Sequence, residues 1–184
     1  MRVIAGTAKG VRLAPVPAGV RPVSDRAREG LFSSLAGDLA NARVLDLFAG
    51  TGALGIEALS RGADRVVFVE RNRGAVRALR ENLERTHLGE RAGVVASNVL
   101  AFVAGNGGSA GGPFDLVLAD PPYEAPAGDV DRVLASMSEG WLAPGGAVAL
   151  TRRSRSSTPV IPVHWRIAKR LEYGDSTVLI FREA

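Results

Sequence analysis

A glycine loop at residues 50–55 restricts the fold more than any other segment of this chain. Gly50-Thr51-Gly52-Ala53-Leu54-Gly55 matches the pattern G-x-G-x-x-G. It follows an apolar run at residues 44–48, which predicts a buried strand, and it opens a helix predicted over residues 53–60. Glycines at such a turn let the backbone approach a ligand that a Cβ atom would push away. The loop therefore predicts an α/β fold with a nucleoside ligand at this turn.

Strands and helices alternate after this loop. Strand patterns lie at residues 65–70, 94–96, 115–120 and 147–151, and helical patterns at residues 72–86, near 102 and at 129–139. Such alternation predicts a mostly parallel sheet with helices on both faces. Residues 166–173 and 177–182, separated by Gly174-Asp175-Ser176, predict an antiparallel C-terminal hairpin. We expect all seven strands to form one sheet.

The N-terminal residues precede this alternation. Residues 2–5 and 11–14 predict two short strands joined by the basic loop Thr7-Ala8-Lys9-Gly10, which together form a small β-hairpin extension. Prolines then interrupt regular structure, and Ser24 is a suitable N-cap for a helix whose apolar residues recur at each turn. We therefore divide the chain into an extension, residues 1–23, and a main domain, residues 24–184.

The composition is that of a globular protein with one core. With 184 residues, 46% of them hydrophobic, the chain is too short for two ordinary domains. Its longest apolar runs are far shorter than the roughly 20 residues of a membrane-spanning helix, and its first residues lack a secretory signal pattern. We therefore expect a soluble cytoplasmic protein. It contains no cysteine, and His87 and His164 have no ligand partner at suitable spacing, so no metal site is expected.

The charge of the chain favours a nucleic-acid partner. Only Lys9 and Lys169 of its 23 basic residues are lysines, the net charge is +4, and the pI is about 10.3. Arginine binds phosphate through paired N–H donors and stacks on bases, although a GC-rich genome would raise the arginine content equally well. The candidate phosphate contacts are Arg2, Lys9, Arg12, Arg21, Arg26, Arg152, Arg153 and Arg155. Solvated surface charge is the alternative for each of them.

Two acidic residues accompany the glycine loop. Asp46 lies in the apolar strand before it, where an unpaired carboxylate is costly to bury, so a cationic partner such as a methionine ammonium is expected. The alternative is that Asp46 accepts backbone N–H bonds from the glycine turn. Glu70 ends the next strand about 20 residues after the loop, where an acid binds the ribose hydroxyls of a nicotinamide dinucleotide or of S-adenosylmethionine (SAM). A solvated strand-end acid is the alternative for Glu70.

The segment Asp120-Pro121-Pro122-Tyr123, named here the Asp-Pro-Pro-Tyr motif, follows the fourth predicted strand. Ligands bind at the carboxyl ends of strands in open α/β sheets, so the motif should face the glycine loop. An aromatic amine is a weak nucleophile, and two acceptors, the Asp120 carboxylate and the Pro121 carbonyl, would aim its lone pair at a methyl group while Tyr123 stacks on the base. No strong general base is needed, because a sulfonium is an excellent leaving group. The alternative is a plain turn with Tyr123 as a plug.

These motifs resemble the RsmD family of bacterial 16S rRNA guanine-N2 methyltransferases. The likeness covers nearly the whole chain and is carried by residues 2–6, 9–10, 21–32, 44–63 and 68–70 and by the Asp-Pro-Pro-Tyr motif. It implies a Rossmann-like class I methyltransferase fold, SAM as cofactor, and an enzyme acting on 16S rRNA in the 30S subunit or its assembly intermediate. We expect the enzyme to be a monomer. The motif itself does not choose among adenine N6, cytosine N4 and guanine N2.

The resemblance also implies a set of cofactor contacts and leaves other functions open. The methionine end of SAM would lie near Asp46, Phe48, Ala49, Gly50, Thr51 and Gly52, the ribose at Glu70 beside Arg71, and the adenine at Asn98 beside Val99. Asn98 and Ser24 also suit plain helix caps. Ser24 and Arg28 would close over the cofactor. The alternatives are methylation of DNA adenine or another RNA, a nicotinamide-dependent reductase, and a non-catalytic RNA-binding assembly factor.

Overall fold

The computed structural model describes residues 1–15, 23–105 and 110–184. Its strands are β1 (Arg43–Leu47), β2 (Arg65–Glu70), β3 (Ala92–Ala96), β4 (Phe114–Ala119), β5 (Leu142–Arg153), β6 (Trp165–Tyr173) and β7 (Ser176–Glu183). They form one sheet in the order β3-β2-β1-β4-β5-β7-β6, in which β7 is antiparallel to both neighbours and the other pairs are parallel. The predicted mostly parallel sheet with an antiparallel C-terminal hairpin is confirmed.

Helices cover both faces of this sheet because its central strands are apolar on both sides. The helices are α1 (Asp25–Ser34), α2 (Ala53–Ser60), α3 (Arg73–Thr86), α4 (Val99–Val103) and α5 (Ala127–Met137). In β1, Val44 packs into the buried cluster on one face, whereas Leu45 and Leu47 pack into the cluster on the other face. Parallel strands buried in this way need a helical layer on each side.

Beyond the N-terminal segment, the boundaries predicted from the sequence agree with the structure to within about two residues, except in β5. Phe114 of β4 pairs with Leu142, whereas Leu116 pairs with Ala147, so residues 143–146 bulge out of the ladder. Gly145 lies in this bulge with a φ of 76°, which glycine adopts without strain. The turn predicted at residues 144–146 is therefore a bulge within one long strand.

The N-terminal segment, residues 1–15, packs on α2. A single antiparallel bridge between Arg2 and Arg12 joins its two arms, where the sequence predicts two full strands. The ladder is short because the Ile4 and Ala5 amides donate to the buried carboxylate of Glu57 in α2, at 2.8 and 3.0 Å. Apolar side chains of the segment join the core cluster on that face. The domain boundary at residue 23 stays a prediction.

Candidate active site

A cavity of about 530 Å³ opens at the carboxyl ends of β1, β2 and β4. This volume is typical of a site for a small molecule or cofactor. Its lining includes most of the residues predicted from the sequence: Asp46, Phe48, Ala49, Gly50, Thr51, Glu70, Arg71, Asn98, Val99, Asp120, Pro121, Pro122 and Tyr123. The structure thus brings the glycine loop, Glu70 and the Asp-Pro-Pro-Tyr motif together around one space.

The glycine loop turns sharply between β1 and α2. Phe48, Gly50 and Gly52 have φ values of 60°, 55° and 82°, so three positions in five adopt the left-handed conformation. Such a φ is rare for a bulky residue like Phe48, and strained backbone of this kind concentrates at functional sites. Gly52 does not line the cavity, but two other features favour glycine there. Its φ of 82° strains other residues, and a Cβ would lie 2.1 Å from Leu79 Cδ1 on α3.

The two acids near the loop bind its backbone. Asp46 is only 1% exposed, and its Oδ2 accepts the Gly55 amide at 2.9 Å. Glu70 accepts the Gly50 amide at 2.9 Å through Oε2 and the Asn72 amide at 2.7 Å through Oε1. The backbone alternative for Asp46 is therefore realised. Because a carboxylate has about four acceptor positions, both acids retain capacity for a ligand.

Three carboxylates, those of Asp46, Glu70 and Asp120, converge on the cavity, whose lining also includes Arg71. Burial raises the pKa of Asp46 to about 8, and the negative charges of Asp120 and Glu70 add to this, against the opposing Gly55 hydrogen bond. Burial also raises the pKa of Asp120 to about 7. Within the described residues, no ion pair includes any of the three. A cationic ligand would relieve this cost, since a nearby positive charge favours the ionised carboxylate.

These raised pKa values predict how the stability of the ligand-free protein depends on pH. The fold favours the protonated carboxyls, so their stabilising contribution is complete below about pH 4 and is lost as the pH rises to about 8. The unfolding free energy of Asp46→Asn minus that of the wild type should therefore grow by about 2–3 kcal/mol between pH 5.5 and pH 8.5. Urea denaturation at several pH values measures this difference. The matched change Asp64→Asn, at an exposed position, should follow the wild type, and parallel Asp46→Asn and wild-type curves would contradict the assignment.

Tyr123 is held by contacts from the C-terminal strands. Its hydroxyl lies 3.1 Å from Ser176 Oγ, and the guanidinium of Arg153 lies 4.7 Å from the ring centre. Ser176 and Thr151 line the cavity as well, although the sequence did not identify them as site residues. The predicted hairpin turn at residues 174–176 could have indicated Ser176 as a site residue. A hairpin docked on β5 brings its turn to the carboxyl end of that strand.

Besides Gly52, two predicted cofactor contacts, Ser24 and Arg28, do not line the cavity. Ser24 caps α1, where its Oγ accepts the Ala27 amide at 3.2 Å. Arg28 is completely buried and donates through Nη2 to the Arg2 carbonyl at 2.6 Å and to Asp25 at 2.9 Å. Arg28 is held there because the N-terminal segment covers it, and burial lowers its pKa.

Other N-terminal residues reach the cavity in their place, and Asn98 combines its two predicted roles. Met1 and Val23 line the cavity, which no sequence pattern indicated. Asn98 caps α4 by accepting the Ala101 amide at 3.2 Å, and it also lines the cavity. Its helix-cap role therefore leaves it available to a ligand.

The predicted phosphate contacts lie mostly on the surface. Arg2, Lys9, Arg12, Arg26, Arg153 and Arg155 are exposed, Arg152 is half-buried, and Arg21 lies outside the described residues. Exposure fits both a phosphate contact and a solvated charge. Arg153 differs from the others because it adjoins the cavity through Tyr123.

Searches for a metal centre and for a membrane span gave no candidate. Across residues 1–15, 23–105 and 110–184, histidine, aspartate and glutamate nowhere form a group of three or more that could hold a metal ion. In the same ranges, no helix has the length and apolar character needed to cross a membrane.

Similarity to known proteins extends over the full chain. The family model of conserved hypothetical protein 95 matches residues 1–182. Ribosomal RNA small subunit methyltransferase D of Escherichia coli K12 is 35% identical over 188 residues, covering 100% of this chain and 91% of that protein.

Two solved structures are also similar to this chain over its full length. Escherichia coli yhhF superposes with a TM-score of 0.87 at 34% identity, covering 100% of this chain and 97% of its own. A hypothetical protein of Thermus thermophilus gives 0.84 at 35% identity, with 100% and 99% covered. The architecture is therefore shared with these structures across the whole chain.

Proposed function

Since this chain belongs to the family of conserved hypothetical protein 95, the RsmD family that its motifs resemble, we propose that it methylates RNA of the small ribosomal subunit with SAM as donor. Its target would be the exocyclic N2 amino group of a guanine in 16S rRNA. One observation carries the proposal. The glycine loop, Glu70 and the Asp-Pro-Pro-Tyr motif line a single cavity of about 530 Å³.

The cavity residues fit the chemistry of SAM. The buried Asp46, with Asp120 and Glu70 nearby, suits a cationic group such as the methionine ammonium, and Glu70 suits the ribose hydroxyls. Phe48, Ala49, Gly50 and Thr51 would hold the methionine end, and Arg71, Asn98 and Val99 would surround the rest of the cofactor. When bound, SAM supplies a methyl group on a sulfonium, which leaves as a neutral thioether.

The Asp-Pro-Pro-Tyr motif would orient the amino group. Asp120 would accept one of its N–H bonds and the Pro121 carbonyl the other, which turns the nitrogen lone pair towards the methyl carbon. A cationic group in the cavity would keep Asp120 ionised and therefore an acceptor, despite its raised pKa. Asp120 or water would then take the proton that the methylated nitrogen has to lose.

The target base would enter the cavity flipped out or single-stranded. Guanine N2 lies on an edge that base pairing covers, so a paired base cannot reach a cofactor in this cavity. Tyr123 would stack on the base, and the Ser176 contact fixes the ring for that purpose. The exposed arginines near the cavity would bind the RNA backbone. We further propose that the enzyme acts as a monomer in the cytoplasm on the 30S subunit or its assembly intermediate.

Methyl transfer from labelled SAM tests this function. The purified protein should label unmodified 30S particles or 16S rRNA, and mass mapping should locate one N2-methylguanosine. Methylation of DNA adenine without transfer to rRNA would contradict the RNA assignment. Binding of RNA without binding of SAM would indicate a non-catalytic assembly factor, and reduction of a substrate with a nicotinamide cofactor would replace the methyltransferase assignment.

A further inference from the structure

A second, much smaller polar hollow lies beside the active site, between the end of β5 and the start of β7. We name it the β5–β7 hollow; its volume is about 20 Å³. Its lining consists of three arginines, five residues with hydroxyl groups, and Leu179. A space of this size holds one water molecule or one oxygen atom of a larger group.

Two buried hydrogen-bonding atoms at this hollow have no partner in the described part of the chain. They are Nη1 of Arg152 and Oγ1 of Thr177. Thr177 is only 3% exposed, and the two residues are direct cross-strand partners in the β5–β7 ladder. A buried donor left without an acceptor costs about 1–3 kcal/mol, and more when it is charged. A ligand that accepts hydrogen bonds would therefore satisfy both atoms.

The charges around the hollow favour an anion. Among the residues that the structure describes, its lining contains Arg152, Arg153 and Arg170 and no carboxylate. The neighbouring Glu172 pairs with Arg170 at 3.0 Å, but both side chains are more than half exposed, so this pair is weak. Guanidinium and hydroxyl donors around a single oxygen-sized space suit one oxygen of a phosphate group.

The hollow and the active site are linked through consecutive residues. Thr151 and Ser176 line the active-site cavity, whereas Arg152 and Thr177, next to them in sequence, line the hollow. Successive side chains of a strand point to opposite faces, so Arg152 and Thr177 point away from the face that carries Thr151 and Ser176. Arg153 lines the hollow as well, and its guanidinium covers the ring of Tyr123.

We infer that the β5–β7 hollow binds a backbone phosphate of the RNA whose base enters the active site, with Arg152 and Thr177 as its principal donors. This inference rests on the proposed function. It assigns Arg152 a contact with one defined phosphate, whereas the exposed arginines would attract the RNA backbone only diffusely. Inorganic phosphate shares the same chemistry, so the test has to distinguish the two sources.

The test compares Arg152→Gln and Thr177→Val with the control Arg166→Gln. Arg166 is an exposed arginine at the start of β6, outside the lining of the hollow. Affinity for an unmodified 16S rRNA transcript is measured over a KCl series, together with the affinity for SAM and the melting temperature. Arg152→Gln should weaken RNA binding about tenfold and reduce the slope of log K against log salt by about 0.7–0.9, as expected for one lost phosphate contact. Thr177→Val should weaken RNA binding about fivefold without lowering Tm, because the Thr177 hydroxyl has no hydrogen-bond partner among the described residues. SAM affinity should not change.

Each other outcome is decisive. If the wild type methylates rRNA but Arg152→Gln and Thr177→Val both bind RNA as Arg166→Gln does, the phosphate site alone is overturned and the proposed function stands. Absence of rRNA binding and methylation by the wild type would overturn both. A rise in Tm with inorganic phosphate that Arg152→Gln abolishes, combined with unchanged RNA affinity, would show a site for free anions and overturn the RNA assignment.

Discussion

Asp120→Ala is expected to lower the single-turnover rate of methyl transfer about 100- to 1000-fold, which corresponds to about 3–4 kcal/mol of transition-state stabilisation. Asp120 is the only carboxylate of the Asp-Pro-Pro-Tyr motif, and without it the Pro121 carbonyl alone would orient the amino group. Asp120→Asn retains one acceptor oxygen but loses the charge, so an intermediate rate is expected. The rate is measured with labelled SAM and excess enzyme on unmodified 30S particles.

The control for Asp120 is Glu139→Ala, which removes an exposed carboxylate beyond the end of α5. It should leave the rate unchanged. SAM affinity should change much less than the rate in Asp120→Ala, because the residue is proposed to act on the amine. A rate within about threefold of the wild type, or a loss explained entirely by weaker SAM binding, would contradict this role.

Asp46→Asn is expected to weaken SAM binding about 100-fold. The substitution leaves an acceptor for the Gly55 amide but removes the negative charge proposed to face the ammonium, and truncating one partner of a buried charge pair costs about 2–5 kcal/mol. Isothermal titration calorimetry with SAM and with 5′-methylthioadenosine separates the two roles of Asp46. Methylthioadenosine carries no amino-acid ammonium, so its affinity should be nearly unchanged.

Equal losses for both ligands would contradict the ammonium role and would indicate that Asp46 only supports the glycine turn. Asp64→Asn is the matched control at an exposed position. It should bind both ligands as the wild type does.

Local sequence patterns were sufficient to predict the central part of the site. The apolar run before the glycine loop predicted β1, and the rule that ligands bind at carboxyl ends of strands placed the Asp-Pro-Pro-Tyr motif across from it. The Asp46 carboxylate illustrates where such reasoning stops. Its burial was predicted from the strand, but the choice between a backbone partner and a ligand depends on where the turn directs the Gly55 amide.

Residues from distant segments could not be predicted in the same way. Arg28 borders the apolar stripe of its helix in sequence, yet it is fully buried because the N-terminal segment folds over it. Ser176 reaches the cavity because β7 docks against β5, a pairing between residues that are far apart in the chain. Gly52 shows the converse case, in which a residue of a ligand-binding pattern lies off the cavity lining and close to Leu79.

By itself, the sequence determined the order of strands and helices, the glycine turn and the position of the Asp-Pro-Pro-Tyr motif, because periodicity, turn chemistry and parallel crossover connections act over short stretches of chain. Only the tertiary structure decided that Arg152 and Thr177 meet at one hollow, since the β5–β7 register makes them cross-strand partners. It also decided the pKa values of Asp46 and Asp120, because desolvation is produced by the whole surrounding core.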